Sequence, residues 1–229
     1  EFDIPAGNTR YWRIGPFELW LQHLANEWRI TTSALDDPMA SAFEMCEAAD
    51  EAPVPLADIA RFGVSSPSNA AHIEVLLADR AVVTWPEIPF SVPAGQEVTV
   101  HVSTPLWVRV CIGDDRCLLA EFPLYRPSDT WFGATTLEGE LCYSSRTRFV
   151  LHLANMPVVP HRAITSVRIQ NGAQSSLSLE RIKIPVPHLS LFQSEAGTLR
   201  TEVVTLERTS EGEFANLKVA NRKSRRTTG

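Results

Sequence analysis

Arg146, Arg148 and His152 share one parity of the run LEGELCYSSRTRFVLHL, residues 137–153, while Leu141, Tyr143, Phe149, Leu151 and Leu153 share the other. In an extended chain successive side chains point to opposite faces, so the three basic groups line up in one row. A guanidinium presents a planar fork that matches the oxygens of a carboxylate or phosphate. Tyr125, Arg126 and Trp131, in the loop leading into the run, add aromatic faces and a further fork. These six residues form the candidate ligand-binding face, suited to a small anionic or carbohydrate ligand. The plainer alternative is a wet sheet face whose charges pair with Glu138, Glu140 or an acidic segment upstream.

Glu138 and Glu140 are a pair of carboxylates with a spacing that suits acid–base work. Two residues apart on a strand they lie on one face, roughly 6–7 Å between Cα atoms. With Trp131 and Tyr125 as a platform they outline a carbohydrate-active hydrolase, the alternative to a binding module. Other chemistries find less. His23, His72, His101, His152, His161 and His188 are scattered with no pair at metal-ligand spacing, so no metal site is expected. No Gly-rich phosphate loop, no dinucleotide fingerprint and no Gly-x-Ser-x-Gly elbow occurs, so no nucleotide cofactor and no catalytic residue is assigned. Cys111 and Cys117 flank a Gly113-Asp114 turn and could face one another; two free thiols packing as small apolar groups is the preferred reading.

The elements that must position these residues are strands. Val98, Val100 and Val102 alternate with Thr99, His101 and Ser103, and the parity resumes at Leu106, Val108 and Val110 after Pro105. Such alternation marks an antiparallel sheet with one face buried. Residues 9–32 read as strands with a turn near Ala25-Asn26, against a rival helix over residues 17–28. Residues 164–192 read as a hairpin around a turn-rich loop at Asn171-Gly172. Within it Leu177 and Leu179 share a parity that Ile182, Ile184 and Val186 reverse, a slip at Glu180-Arg181 that a β-bulge would produce. A short helix over residues 39–49 is the one helical expectation of any length.

Ten or more short strands at regular spacing predict a mainly β chain, an antiparallel β-sandwich forming one large or two small sandwich-like halves, with at most one or two short helices. A seam near residues 126–130 divides the chain into a β-rich N-terminal half, residues 1–125, and a β-rich C-terminal half, residues 126–219. Residues 34–60 form an acidic insertion in the first half, with seven Asp or Glu and no Lys or Arg. Residues 220–229 read as a disordered basic tail.

The chain has 229 residues and a formal charge of −6, and five of its 21 basic residues lie from Lys218 onward. The acidic body disfavours nucleic acid, whose binding rests on neutralising phosphates. No run of ~20 apolar residues could span a membrane. Four cysteines make no disulfide framework, which suits a reducing, cytoplasmic compartment.

The order of features resembles one known family. Pro93-Ala94-Gly95 precedes the Val-rich strand and Pro105; Pro123-Leu124-Tyr125 is followed by Gly139-Glu140-Leu141-Cys142-Tyr143; Ile164-Thr165-Ser166-Val167-Arg168-Ile169 and Val186-Pro187-His188-Leu189-Ser190-Leu191-Phe192 complete the pattern. This order is similar to that of the prokaryotic family grouped as domain of unknown function 432, and it covers roughly residues 5–219. The resemblance implies a β-rich fold and no established activity, so no catalytic residue carries over. The expectation is therefore a soluble binding or regulatory module acting through its Arg/aromatic face on a small ligand or a protein partner. The rivals are the hydrolase and a structural subunit that assembles through exposed sheet edges.

Overall fold

The computed structural model describes residues 1–47, 54–55, 58–65, 68–145, 147–195, 197–209 and 216–219. Arg146, the basic tail at residues 220–229 and the end of the expected helix over 39–49 lie outside them. The fold is all-β and sandwich-like, with 57% of the described residues in strands and 3% in helix, against a usual strand share of about 20–25%. The helical residues described are two 3₁₀ turns, Leu153–Asn155 and Val186–His188.

In chain order the strands are β1 (Phe2–Asp3), β2 (Thr9–Ile14), β3 (Phe17–Leu24), β4 (Glu27–Ala34), β5 (Phe43–Glu47), β6 (Ala60–Gly63) and β7 (Ala70–Leu77). There follow β8 (Val82–Thr84), β9 (Phe90–Val92), the long β10 (Glu97–Ile112), β11 (Cys117–Pro123), β12 (Ser128–Gly133) and β13 (Gly139–Ser144). The last are β14 (Arg162–Asn171), β15 (Leu177–Leu179), β16 (Ile182–Ile184), β17 (Leu191–Gln193), β18 (Leu199–Thr201), β19 (Val204–Arg208) and β20 (Asn216–Val219). They fall into two compact units, each discontinuous in sequence. Unit 1 comprises Glu1–Leu76, Pro105–Arg126 and Val158–His161, and unit 2 comprises Leu77–Thr104, Pro127–Pro157 and Arg162–Gly229.

Unit 1 holds an antiparallel sheet in the order β5-β2-β3-β4-β6. The turn expected at Ala25-Asn26 is present, with Leu24 paired to Glu27. β3 buries Phe17, Leu19 and Leu21 on one face and Trp20 on the other, which is why its pattern reads ambiguously as strand or helix. His23 stacks flat on Trp28 at 4.1 Å and its Nδ1 donates to the Ile4 carbonyl at 2.7 Å. The turn between β2 and β3 needs Gly15, at φ +60°, because a Cβ there would meet His161 Nδ1 at 2.4 Å and the Ala40 carbonyl at 2.9 Å. The expected helix over 39–49 is instead β5, pairing with β2. That pairing partner lies some thirty residues away, so local propensity does not register it.

In unit 2, β10 neighbours β14, and β14 pairs in parallel with β18 and β19. The expected hairpin over 164–192 does not form, because β14 and β15 take different partners. β15 pairs with β9, and β16 then joins β8 in the sheet β12-β13-β8-β16. The parity slip at Glu180-Arg181 is thus a change of sheet rather than a bulge. Asn171 anchors the crossing: its buried side-chain amide donates to the carbonyls of Val92, Pro93 and Ser175. Most pairings are antiparallel, with parallel ones at β13–β8, β14–β18 and β14–β19.

Candidate ligand-binding cleft

Unit 2 contains a cleft of about 800 Å³ whose walls come from six separate stretches of its chain. That volume lies within the usual range for small-molecule sites, roughly 300–1,000 Å³. Leu141, Ile169, Leu177, Leu179, Ile182 and Leu206 form its apolar lining. Phe132, Glu140, Arg181, Lys183, His188, Asp79 and Arg80 supply ring and charge.

The β12–β13 hairpin builds one wall. Gly133 and Gly139 face each other across it, and a Cβ on Gly133 would fall 2.0 Å from the Glu138 carbonyl, so the strands meet closely only without side chains there. Thr135 closes the loop: its hydroxyl accepts the N–H groups of Leu137 and Glu138, and its carbonyl accepts the Trp131 indole N–H at 2.8 Å. The register places Phe132 opposite Glu140. The other wall follows the sheet change, which leaves Ile182 and Ile184 buried and puts Arg181 and Lys183 on the opposite parity.

Phe132 is the meeting point. The Arg181 guanidinium carbon lies 4.8 Å and the Lys183 ammonium 5.4 Å from its ring centroid, both within the ~6 Å at which a ring quadrupole attracts a cation. Lys183 also pairs with Glu140, Nζ to Oε1 at 2.9 Å. That bond, chiefly, holds the Glu140 carboxyl below the usual carboxylate range. Arg181, by contrast, has no carboxylate partner among the described residues and is exposed. Behind Glu140, the buried Cys142 thiol is pushed up to about 11, by burial first and then by its hydrogen bond to Glu140.

At the far side, Arg80 is answered by two acids. Its Nη1 donates to Asp129 at 3.2 Å, its Nε lies 3.9 Å from Asp79, and its guanidinium sits 5.2 Å over the Tyr143 ring. The Tyr143 hydroxyl donates to Asp79 at 2.9 Å, and burial together with that carboxylate raises its pKa.

The residues expected to form a ligand face are distributed otherwise. Tyr125, half-buried with its ring centroid 6.3 Å from that of His161, and the exposed Arg126 belong to unit 1. Trp131, Arg148 and His152 belong to unit 2 and are exposed. The single long strand expected over 137–153 is interrupted, since β13 ends at Ser144 and Leu153–Asn155 is a 3₁₀ turn. Phe149 is buried and Arg148 and His152 are not, so the parity holds locally, although Leu141 and Leu151 are exposed. No hydrogen bond, ion pair or ring contact joins Trp131 to Arg148 or His152 among the described residues. Glu140 faces Lys183, and Glu138 sits exposed at the hairpin tip. All four cysteines are thiols, Cys111 buried and Cys117 exposed. No group of three His, Cys, Asp or Glu among the described residues could hold a metal ion.

The residues that sequence reasoning missed are Phe132, Arg181 and Lys183. Their signal was the parity slip itself, which put two cations two residues apart next to a change of sheet. No helix of the described residues is long and apolar enough to cross a membrane. No curated protein and no solved structure matches the chain. The family model described as Protein of unknown function (DUF432) matches residues 1–229, the whole chain, and the chain belongs to that family.

Proposed function

We propose that the protein is a binding module whose unit-2 cleft takes a small amphipathic carboxylate. One observation carries this reading: Arg181, with no carboxylate partner among the described residues, lies beside Phe132 at a cleft with a leucine and isoleucine lining. A guanidinium binds a carboxylate through two parallel hydrogen bonds, and the leucine and isoleucine walls cover an apolar tail. Lys183, shared between Glu140 and the ring, adds a second cation that ligand binding can draw upon.

The hydrolase alternative needs a carboxyl that is protonated near neutrality. Glu140 is shifted the opposite way by Lys183, which favours binding over acid catalysis at that residue. The test is a thermal-shift series of straight-chain and aryl carboxylates on the full chain and on Arg181→Gln. Carboxylates with apolar tails should raise the melting temperature of the parent, acetate should not, and Arg181→Gln should lose the rise. A series that stabilises neither protein, or both equally, rejects the reading.

A further inference from the structure

A second set of cationic groups lies on the sheet face of unit 2 opposite the one to which Ile169 contributes. Contacts between threonines settle which parity faces which way. Thr104 Oγ1 on β10 is 3.5 Å from Thr165 Oγ1 on β14, which accepts a hydrogen bond from Thr201 Oγ1 on β18 at 2.9 Å. These threonines share a face with the buried Val100, Val102, Val167 and Ile169. The opposite parity carries His101, Ser166 and Arg200, and His101 Nδ1 meets Ser166 Oγ at 3.1 Å. Across the other edge of β10, His101 and Val150 exchange backbone hydrogen bonds of 2.8 and 3.0 Å. His152 follows two residues later with an extended backbone, φ −111° and ψ 123°, and so falls on the His101 side.

No ion pair joins His101, His152 or Arg200 to a carboxylate among the described residues. Arg200 has no ion pair among the described residues, and its Nε is buried without a hydrogen-bond partner. Arg168 from β14 and Arg148 from the segment before Val150 add positive charge on the same parities. Of the acids on those parities, Glu97 accepts from Gln170, Glu202 accepts the Ser190 N–H, and Glu207 stands opposite Gln170 in the register, two residues beyond Arg168. Burial, and then the charges of Arg200 and His152, hold His101 below the usual histidine range. A buried guanidinium N–H with no acceptor costs free energy that a bound acceptor restores.

We propose that His101, His152 and Arg200, with the Ser166 hydroxyl, bind an oxyanion of the phosphate class at a site distinct from the cleft. An oxyanion that stays doubly charged from pH 8 to 6, as sulfate does, favours the charged imidazolium of His101, so its binding strengthens as pH falls.

The test titrates the full chain with inorganic phosphate, and separately with sulfate, which stays a dianion from pH 8 to 6, at constant ionic strength and follows the histidine ring resonances by NMR. Saturable shifts of His101 and His152 are expected with both anions, for sulfate at least threefold tighter at pH 6 than at pH 8, with chloride giving none. Arg200→Gln should weaken binding at least tenfold. His152→Gln, at an exposed position where the fold is not at risk, should weaken it at least threefold. Arg181→Gln should leave it unchanged, so that this site and the cleft can fail separately. Glycerol phosphate run in parallel tells free phosphate from a phosphate ester: equal binding assigns the oxyanion alone, tighter binding an ester. Shifts that never saturate, or that persist undiminished in both Arg200→Gln and His152→Gln, would overturn the site.

Discussion

Glu140 and Lys183 are joined at 2.9 Å although their strands, β13 and β16, are not neighbours; β8 runs between them. The ion pair therefore reaches across a strand and closes over the parity that Phe132 and Arg181 also occupy. It ties the two walls of the cleft together and decides how much positive charge is left for a ligand.

Glu140→Gln should release Lys183. Both side chains are partly exposed, at 31% and 50%, so solvent screens the pair and the stability loss at pH 7 should be at most ~1 kcal/mol. The folded carboxyl titrates below its unfolded value, so its contribution is present above the unfolded pKa and is lost as pH falls through the folded one. Urea melts of the parent and variant should differ at pH 7 and converge in acid. Carboxylate affinity should rise in the variant; a fall would mean that Glu140 itself contacts the ligand.

Cys142 should be inert in the native state. It is fully buried, and its thiol titrates at about 11, so almost no thiolate exists at pH 8. Iodoacetamide followed by mass spectrometry should label the exposed Cys117 first and reach Cys142 and the buried Cys111 only on unfolding. Early labelling of Cys142 would place it outside the core of unit 2.

Phe149 and Arg148 are adjacent and should behave oppositely. Phe149 is 4% exposed and meets Phe90 edge-on at 6.0 Å. Phe149→Ala should cost ~3–5 kcal/mol through the cavity it leaves, and Arg148→Ala at most ~0.5 kcal/mol. Melting curves that reverse this order would refute the local parity.

Gly15→Ala should destabilise unit 1 by roughly 2–4 kcal/mol, since strain at positive φ adds to overpacking. The new methyl would meet His161 Nδ1 and the Ala40 carbonyl. A variant that melts like the parent would show that the β2–β3 turn has room to relax.

Much of the fold was legible because alternation is local. The Val100, Val102 and Val108 pattern marked β10, and Leu24-Ala25-Asn26-Glu27 marked the β3–β4 turn. What the pattern could not supply was partner choice. β5 is a strand because β2 pairs with it, and β15 and β16 are separate strands because each finds a different neighbour. The cleft was hidden for the same reason: Phe132, Ile169, Arg181 and Leu206 converge only through non-local pairing. Arg148 and His152 were visible as exposed cations, but His101 and Arg200 beside them sat in segments that read as ordinary strand.

The central claim is that a carboxylate with an apolar tail lies against Arg181 and Phe132. A diazirine-bearing alkanoate photolysed with the full chain, followed by peptide mapping, tests it most directly. The account predicts labels concentrated on residues 139–143 and 177–188 and largely lost in Arg181→Gln. Labels concentrated elsewhere, or undiminished in that variant, would contradict it.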